Sequence, residues 1–175
     1  MNILDFCVGI GQWPFRRLRH RSADEVLGVM DEHGIAQAVV SSLEAVLYKN
    51  CQPGNEDLAE VVAARSDRFV PLACLNPTFP GAVGDLRRCM RDLGMRGVKL
   101  YPNYHDYLLA DEAVTTFLEA ARDLDPVVVL VVRVEDERLH HWRMLVPPTP
   151  IPDIAETIRR HPDLRFLVSG ANRAE

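Results

Sequence analysis

Two polar side chains alternate with apolar ones in the middle of the chain. Residues 97–101 read GVKLY, so Lys99 and Tyr101 would share one face of a strand, opposite Val98 and Leu100. A lysine and a tyrosine near a buried strand end each need a partner or a ligand. We therefore predict a clamp for a substrate carboxylate, or a tyrosine acid beside a lysine charge. The alternative is a lysine that pairs with a neighbouring carboxylate.

The densest polar stretch of the chain is residues 135–142, EDERLHHW. Glu135 is the natural general base, and His140 or His141 could act as a general acid at neutral pH. Adjacent histidines do not face the same way in most backbones, so this pair is a weak candidate for a metal chelate. The alternative is an exposed charged loop in which Trp142 covers the edge of the core.

A basic cluster, residues 16–21, follows the first apolar segment. Such a cluster can attract an anionic substrate, with Arg16 as the candidate contact; the alternative is a solvated loop. Further polar residues follow the predicted strands and are candidate substrate-binding residues: Asn76, Tyr104, His105 and Arg133. Cys7, Cys74 and Cys89 are interpreted as small residues of the core.

Six apolar segments with helices between them must position these residues. The first helix is predicted to start after Ser22, with Glu25 completing a capping box, and to end at Gly34. A second helix is predicted to be capped by Asn55. The strands are predicted over 3–8, 35–40, 69–75, 97–101, 127–134 and 164–168. Strands recur about every 30 residues, which predicts right-handed βαβ crossovers and a parallel sheet.

Composition excludes several classes of protein. The chain has 175 residues, 47% of them hydrophobic, and a formal net charge of -5, which argues against general nucleic-acid binding. The longest apolar run, 127–132, is far too short to span a membrane, and the first residues do not resemble a signal peptide. The four cysteines form no CxxC pair, so a zinc knuckle is not expected. Free thiols in a reducing compartment predict a cytoplasmic protein.

The strand rhythm fits two architectures: an open doubly wound sheet, or a TIM-type (β/α) barrel with about six of its eight units. Gly9 and Gly11 stand in the first loop, but no GxGxxG follows, so a dinucleotide fingerprint is absent. No break in composition marks a second domain. Periodicity alone does not choose between barrel and open sheet.

Three segments favour the barrel. Residues 4–11, LDFCVGIG, occupy the place of a first-strand D-x-H-x-H-x-G motif, residues 97–104, GVKLYPNY, resemble G-x-K-L-Y-P, and residues 161–166, HPDLRF, resemble H-P-x-L-x-F. In this order they resemble the amidohydrolase-related family, with its aminocarboxymuconate-semialdehyde-decarboxylase-like enzymes. Segments 13–16, 48–50 and 135–142 are similar to an uncharacterised subgroup of it. The resemblance implies one barrel domain over 1–175, truncated at its C-terminus.

The metal positions of that family depart from its pattern. The resemblance places Cys7 and Gly9 where the family has its first-strand histidines, Arg133 at its strand-five histidine and a position near Ser169 at its strand-six histidine. The strand-eight aspartate would lie beyond residue 175. We therefore predict no first-strand metal site and expect no cofactor from the visible ligands. A divalent metal such as zinc stays open, with the chemistry lost or moved to other histidines, namely His105, His140 and His141.

Two functions follow from the resemblance. The first is an amidohydrolase-like hydrolase, or a related lyase, that acts on a small carboxylated molecule. Lys99, Tyr101, Glu135, His140 and His141 would then be catalytic, and the substrate-binding residues would be Arg16, Asn76, Tyr104, His105 and Arg133. The second is a non-catalytic binding or partner protein on the same barrel. In either case six strands cannot close the barrel, so the chain is expected either to pair with a second copy that covers the open edges or to be part of a longer protein.

Overall fold

One parallel sheet organises the protein. The computed structural model describes residues 3–141 and 146–172. The strands are β1 (Ile3–Ile10), β2 (Ile35–Ser42), β3 (Phe69–Cys74), β4 (Gly97–Leu100), β5 (Val127–Val131) and β6 (Arg165–Ser169). They are parallel, and their spatial order is the order of the sequence. This is the order of a barrel and not the reversing order of a doubly wound sheet. The predicted incomplete TIM barrel is confirmed.

Helices connect the strands. They are α1 (Ala23–Glu32), α2 (Gln52–Ala63), α3 (Ala82–Arg91), α4 (Pro102–His105), α5 (Glu112–Arg122) and α6 (Ile151–Arg160), with 3-10 turns at Glu44–Leu47 and Glu137–Leu139. The capping box of Ser22 and Glu25 is present as predicted. The predicted start of the second helix is wrong. Cys51 is its N-cap, because Pro53 suits the first turn, and Asn55 lies inside the helix.

The helix-facing side of the sheet carries the main core. Val98, Leu100 and Leu130 belong to one apolar cluster with helix residues such as Leu86 and Phe117. The alternate residues of the same strands form separate clusters on the inner side of the partial barrel. One contains Val39, Leu72 and Val129, and the other contains Cys74, Tyr101 and Val131. Because side chains alternate along a strand, Lys99 shares the inner face with Tyr101, as predicted.

Both ends of the strand order are edges within the described residues. On β1, Leu4 and Phe6 are exposed, and on β6 Leu167 and Val168 are exposed. Cys7 is exposed as well, so its interpretation as a core residue is wrong. The reason is that β1 pairs with β2 alone among the described strands, which leaves its inner face without a facing layer. No described helix has the length and hydropathy needed to cross a membrane.

Candidate functional site

Lys99 is a buried cation on the inner face of β4. It is 8% exposed, and the register of the sheet places Cys74 of β3 and Val129 of β5 beside it. Its ammonium lies 3.7 Å from Cys7 Sγ and 5.8 Å from the centre of the Tyr101 ring. In the part of the chain that the structure describes, no carboxylate lies within ion-pair distance of it. The lysine–carboxylate ion pair that the alternative interpretation requires is therefore absent from the described residues.

Tyr101 connects this lysine to a group of aromatic rings. Complete burial raises the pKa of its hydroxyl well above the ordinary value, so the phenol stays neutral. The short helix α4 begins directly after it, with Pro102 at its first position. That turn places the rings of Tyr104 and His105 6.4 Å and 6.1 Å from the Tyr101 ring, centre to centre. The sequence predicted only a polar loop here.

Glu135 lies on the far side of these rings and pairs with Arg16. Arg16 Nε is 3.1 Å from Glu135 Oε1, and the glutamate side chain is only 2% exposed. Among the described residues, neither carboxylate oxygen of Glu135 has a hydrogen-bond partner, so this is an ion-pair contact without hydrogen-bond geometry. Burial, together with the charge of Glu135, raises the pKa of Tyr104 to about 12. The Trp13 ring packs edge-on at 6.0 Å from Tyr104.

The other predicted residues make contacts of their own. Arg133 Nη1 donates a hydrogen bond to Gly170 O at 3.3 Å. The His141 ring lies 6.3 Å from the ring of Phe15, and His140 is half-buried. Asn76 Oδ1 accepts hydrogen bonds from Thr78 N and Oγ1, so this oxygen serves its own loop. Trp142 lies outside the described residues.

The structure therefore brings five of the predicted site residues into one connected group. Lys99, Tyr101 and Tyr104 follow one another through ring contacts, the charge of Glu135 acts on Tyr104, and Glu135 pairs with Arg16. Part of the 135–142 stretch does fit the alternative of an exposed charged loop. Arg138 donates hydrogen bonds to Asp136, and both residues are exposed.

A group of three residues next to this chain was not predicted as a unit. Cys51, Cys74 and His105 have their ligand atoms within 4.8 Å of one another. A hydrogen bond with Cys74, and the nearby His105, lower the pKa of the Cys51 thiol to about 6, although burial opposes this. Burial raises the pKa of Cys74 well above the ordinary value. The only signal in the sequence was Cys74 at the end of a strand and His105 after the next one.

Asn55 supports this group from inside α2. It is completely buried, its Nδ2 donates to Cys74 O at 2.8 Å, and Cys74 N donates to its Oδ1 at 2.8 Å. Cys74 pairs with Lys99 of β4, and the Asn55 side chain adds bonds to its backbone beyond the β2–β3 pairing, which extends to Pro71. Sequence reasoning had placed Asn55 at a helix cap, where its amide would have been used locally.

A separate cavity of about 610 Å³ lies on the other side of α4. Its walls include Asn103, Tyr107, Leu109, Pro147 and Thr149. None of the predicted site residues lines it. Three aspartates, Asp106, Asp111 and Asp153, also line this cavity. Because the predicted site residues lie elsewhere, we place the candidate site on the inner face.

Comparison with known proteins assigns the family. The sequence profile described as amidohydrolase matches residues 10–174, and the chain belongs to that family. Among solved structures it is similar to a dihydroxybenzoic acid decarboxylase from Polaromonas with bound manganese and the inhibitor 2-nitroresorcinol (TM-score 0.69, 23% identity, 96% of this chain and 65% of that one). It is also similar to 2,6-dihydroxybenzoate decarboxylase from Rhizobium (0.68, 20%, 95% and 65%).

A third similar structure is a TIM-barrel protein from Bordetella bronchiseptica (TM-score 0.65, 18% identity, 95% of this chain and 66% of that one). At these identities the likeness establishes the fold alone. The chain spans about two thirds of the length of the solved structures it matches.

The positions at which the family resemblance expects metal ligands do not fit a metal. A side chain at Gly9 would collide with Leu43, whose Cδ2 would be 2.5 Å from the added Cβ. Cys7 Sγ faces the ammonium of Lys99 at 3.7 Å, and a cation there opposes a second cation. Arg133 is itself a cation, and Ser169 offers only a hydroxyl. We therefore derive no step through a metal at these positions.

Proposed function

We propose that this protein is a hydrolase or a lyase that acts on a small carboxylated molecule, held by its carboxylate on the inner face of the partial barrel. One observation carries the proposal: Lys99 is buried there without a carboxylate partner in the described part of the chain. An unpaired buried ammonium is costly, and a bound carboxylate would remove that cost.

Roles for the neighbouring residues follow from their positions. Arg133, two residues after the end of β5, would be a second cation for the substrate, and Arg16, Tyr104, His105 and Asn76 would be further substrate contacts. Tyr101, kept neutral by its raised pKa, can donate a hydrogen bond but not act as a base at neutral pH. The rings of Trp13 and Tyr104 offer an apolar wall to a planar substrate.

Glu135 is the proposed general base and His140 or His141 the proposed general acid. In a hydrolysis the Glu135 carboxylate would take a proton from the attacking water, and the histidine would protonate the leaving group. In a decarboxylation the histidine would protonate the carbon that bears the carboxylate. The bond from that carbon to the carboxylate then breaks, carbon dioxide leaves, and the electron pair of the bond returns to the unsaturated system of the remaining fragment, which is the decarboxylated product. Two of the similar structures are described as decarboxylases, which supports the lyase form.

Calorimetric titration with benzoate, 2,6-dihydroxybenzoate and uncharged benzamide tests the proposal. We expect the carboxylates to bind and benzamide not to bind. Lys99→Met should weaken carboxylate binding roughly 10-fold or more, since a hydrogen bond to a charged group contributes about 1.5–3 kcal/mol. Lys99→Arg should retain part of the affinity. Lys49→Met is the matched control, because Lys49 is exposed. Equal binding of benzoate and benzamide, or no effect of Lys99→Met, would refute the proposal.

A non-catalytic binding protein is the second candidate. The observation in its favour is that the expected metal positions do not fit a metal. Assays for carbon dioxide release and for hydrolysis products, run at saturating carboxylate, separate the two. Binding without turnover would favour the second candidate.

Two further expectations belong to the proposal. The described cysteines are free thiols, which suits a reducing, cytoplasmic setting. The exposed Leu4 and Phe6 on β1 and Leu167 and Val168 on β6 suit coverage by a second copy of the chain. Sedimentation at increasing protein concentration tests this, and a monomer at every concentration would contradict it.

A further inference from the structure

Three distant parts of the sequence meet at one point beside the inner face. Cys51 is the N-cap of α2, Cys74 ends β3, and His105 ends α4. Cys51 and Cys74 are buried and His105 is half-buried. Their ligand atoms lie within 4.8 Å of one another, with 3.8 Å between Cys51 Sγ and His105 Nε2. No other group of three or more His, Cys, Asp or Glu residues in the described ranges has this arrangement.

These distances fit tetrahedral coordination. Zinc–sulfur bonds of about 2.3 Å and zinc–nitrogen bonds of about 2.0 Å place the ligand atoms roughly 3.5–3.8 Å apart. A small closure of the group therefore suffices to bring all three atoms into bonding range. We propose that Cys51, Cys74 and His105 bind one zinc ion and leave its fourth position open to water or a ligand.

The ligand types select the metal. Two thiolates and one imidazole are soft to borderline ligands, which suit zinc, whereas manganese prefers carboxylates and water. The site uses Cys51, Cys74 and His105, and none of these stands at a position where the family resemblance expects a ligand. It also differs from a zinc knuckle, because its ligands are not paired in sequence.

The surroundings hold the ligands in place. Asn55 fixes the backbone of Cys74 through two hydrogen bonds of 2.8 Å. The start of α2 favours a thiolate at Cys51, since helix N-termini attract negative charge. Outer hydrogen bonds such as those of Asn55 orient metal ligands. Without a metal, His105 Nε2 lies 3.1 Å from Val46 O, and this contact is given up when the same nitrogen binds zinc.

Metal binding has a defined proton balance. The Cys74 thiol must lose its proton to the solvent, and so must Cys51 where it is still protonated. The ring proton of His105 moves from Nε2, which then binds zinc, to Nδ1. Nδ1 makes no hydrogen bond in the described part of the chain, so it is free to take that proton.

Cobalt absorption spectroscopy on the reduced, metal-free protein tests the site. We expect saturation at about one cobalt ion per chain with an intense thiolate-to-cobalt charge-transfer band, tetrahedral visible bands, and displacement of the cobalt by zinc. Wild-type protein that shows no thiolate band overturns the proposal. This measurement does not depend on whether any variant folds.

Variants assign the ligands. Cys51→Ser, Cys74→Ser and His105→Ala should each weaken zinc binding more than about 100-fold, since even outer-shell changes cost about 10–100-fold. Cys7→Ser and Cys89→Ser are matched controls and should bind zinc like the wild type. Full binding by folded ligand variants, or loss in the controls, overturns the assignment. Carboxylate binding by the metal-free protein is measured separately, so failure of the zinc site and failure of the proposed function are distinguishable.

Discussion

The two faces of the central strands differ in what they bury. On the helix-facing side, Val98 and Leu100 of β4 are completely buried in an apolar cluster that includes Phe117. On the inner side, the alternate residues Lys99 and Tyr101 are almost as buried but polar. One strand thus carries apolar packing on one face and costly polar groups on the other.

This difference means that the helix-facing side of β4 stabilises the fold, whereas its inner side carries residues of the proposed site. Burial of apolar area stabilises the sheet, whereas a buried ammonium without a carboxylate partner destabilises it. Such a group is tolerated when the opposite face stabilises the strand enough. The comparison therefore predicts that shortening a side chain changes the free energy of unfolding by different amounts on the two faces, and even in opposite directions.

The largest effect should come from the helix-facing side. Phe117→Ala should lower the free energy of unfolding by about 3–5 kcal/mol, because the ring is completely buried and the cavity collapses only in part. Urea denaturation followed by circular dichroism measures this. Phe15→Ala is the matched control, since Phe15 is exposed. A loss at Phe117 no greater than that at Phe15 would contradict the comparison.

A smaller loss of unfolding free energy is expected at Asn55, whose side chain joins α2 to the backbone at the end of β3. Asn55→Ala should lower the free energy of unfolding by about 2–3 kcal/mol, because Cys74 N and O lose their hydrogen bonds while buried. The same denaturation measurement applies. Asn50→Ala serves for comparison: it removes a single hydrogen bond, from Gln52 N at 3.1 Å, at an exposed asparagine and should cost about 1 kcal/mol. Equal losses in the two variants would show that the Asn55 bonds contribute little.

Local patterns predicted the architecture well. The strand rhythm predicted six parallel strands, and Ser22 and Glu25 predicted the start of α1, because both signals depend on residues close in sequence. The barrel order of β1 to β6 came from the family resemblance and not from the rhythm. Alternation in residues 97–101 also predicted that Lys99 and Tyr101 share a face.

Long-range contacts could not be predicted in this way. The four residues of α4 are too few to show a helical period, so the position of His105 was not foreseen. Asn55 bonds to the Cys74 backbone across the fold, a use that its helix-capping propensity does not reveal. Cys7 was expected in the core because cysteines usually are, but β1 stands at an edge of the described sheet.

The inner face should respond to truncation with the opposite sign. Lys99→Met should leave the free energy of unfolding within about 1 kcal/mol of the wild type or raise it, because an apolar side chain replaces a buried charge without a carboxylate partner in the described residues. The measurement is denaturation without added carboxylate, with Lys49→Met for comparison. A loss above about 2 kcal/mol would mean that Lys99 is part of the structural core.

The smallest effect is expected at a site that belongs to neither face, the exposed start of α1. Hydrogen bonds from the backbone amides of Ser22 and Arg21, at 2.9 Å and 3.0 Å, lower the pKa of Glu25 to about 2 from its ordinary value of 4.5. A lowered pKa means that the folded state favours the charged form of Glu25. The contribution of this carboxylate to stability is complete above its ordinary pKa and is lost as the pH falls from about 4.5 towards 2.

Glu25→Gln keeps the hydrogen-bond acceptor but not the charge, so it should remove that part of the acid sensitivity. Thermal unfolding between pH 6 and pH 3 measures the change, with Glu32→Gln at the other end of α1 as the matched variant. Because the carboxylate is exposed, salt should reduce the difference. If both variants lose stability in acid as the wild type does, the capping box acts through its hydrogen bonds without its charge.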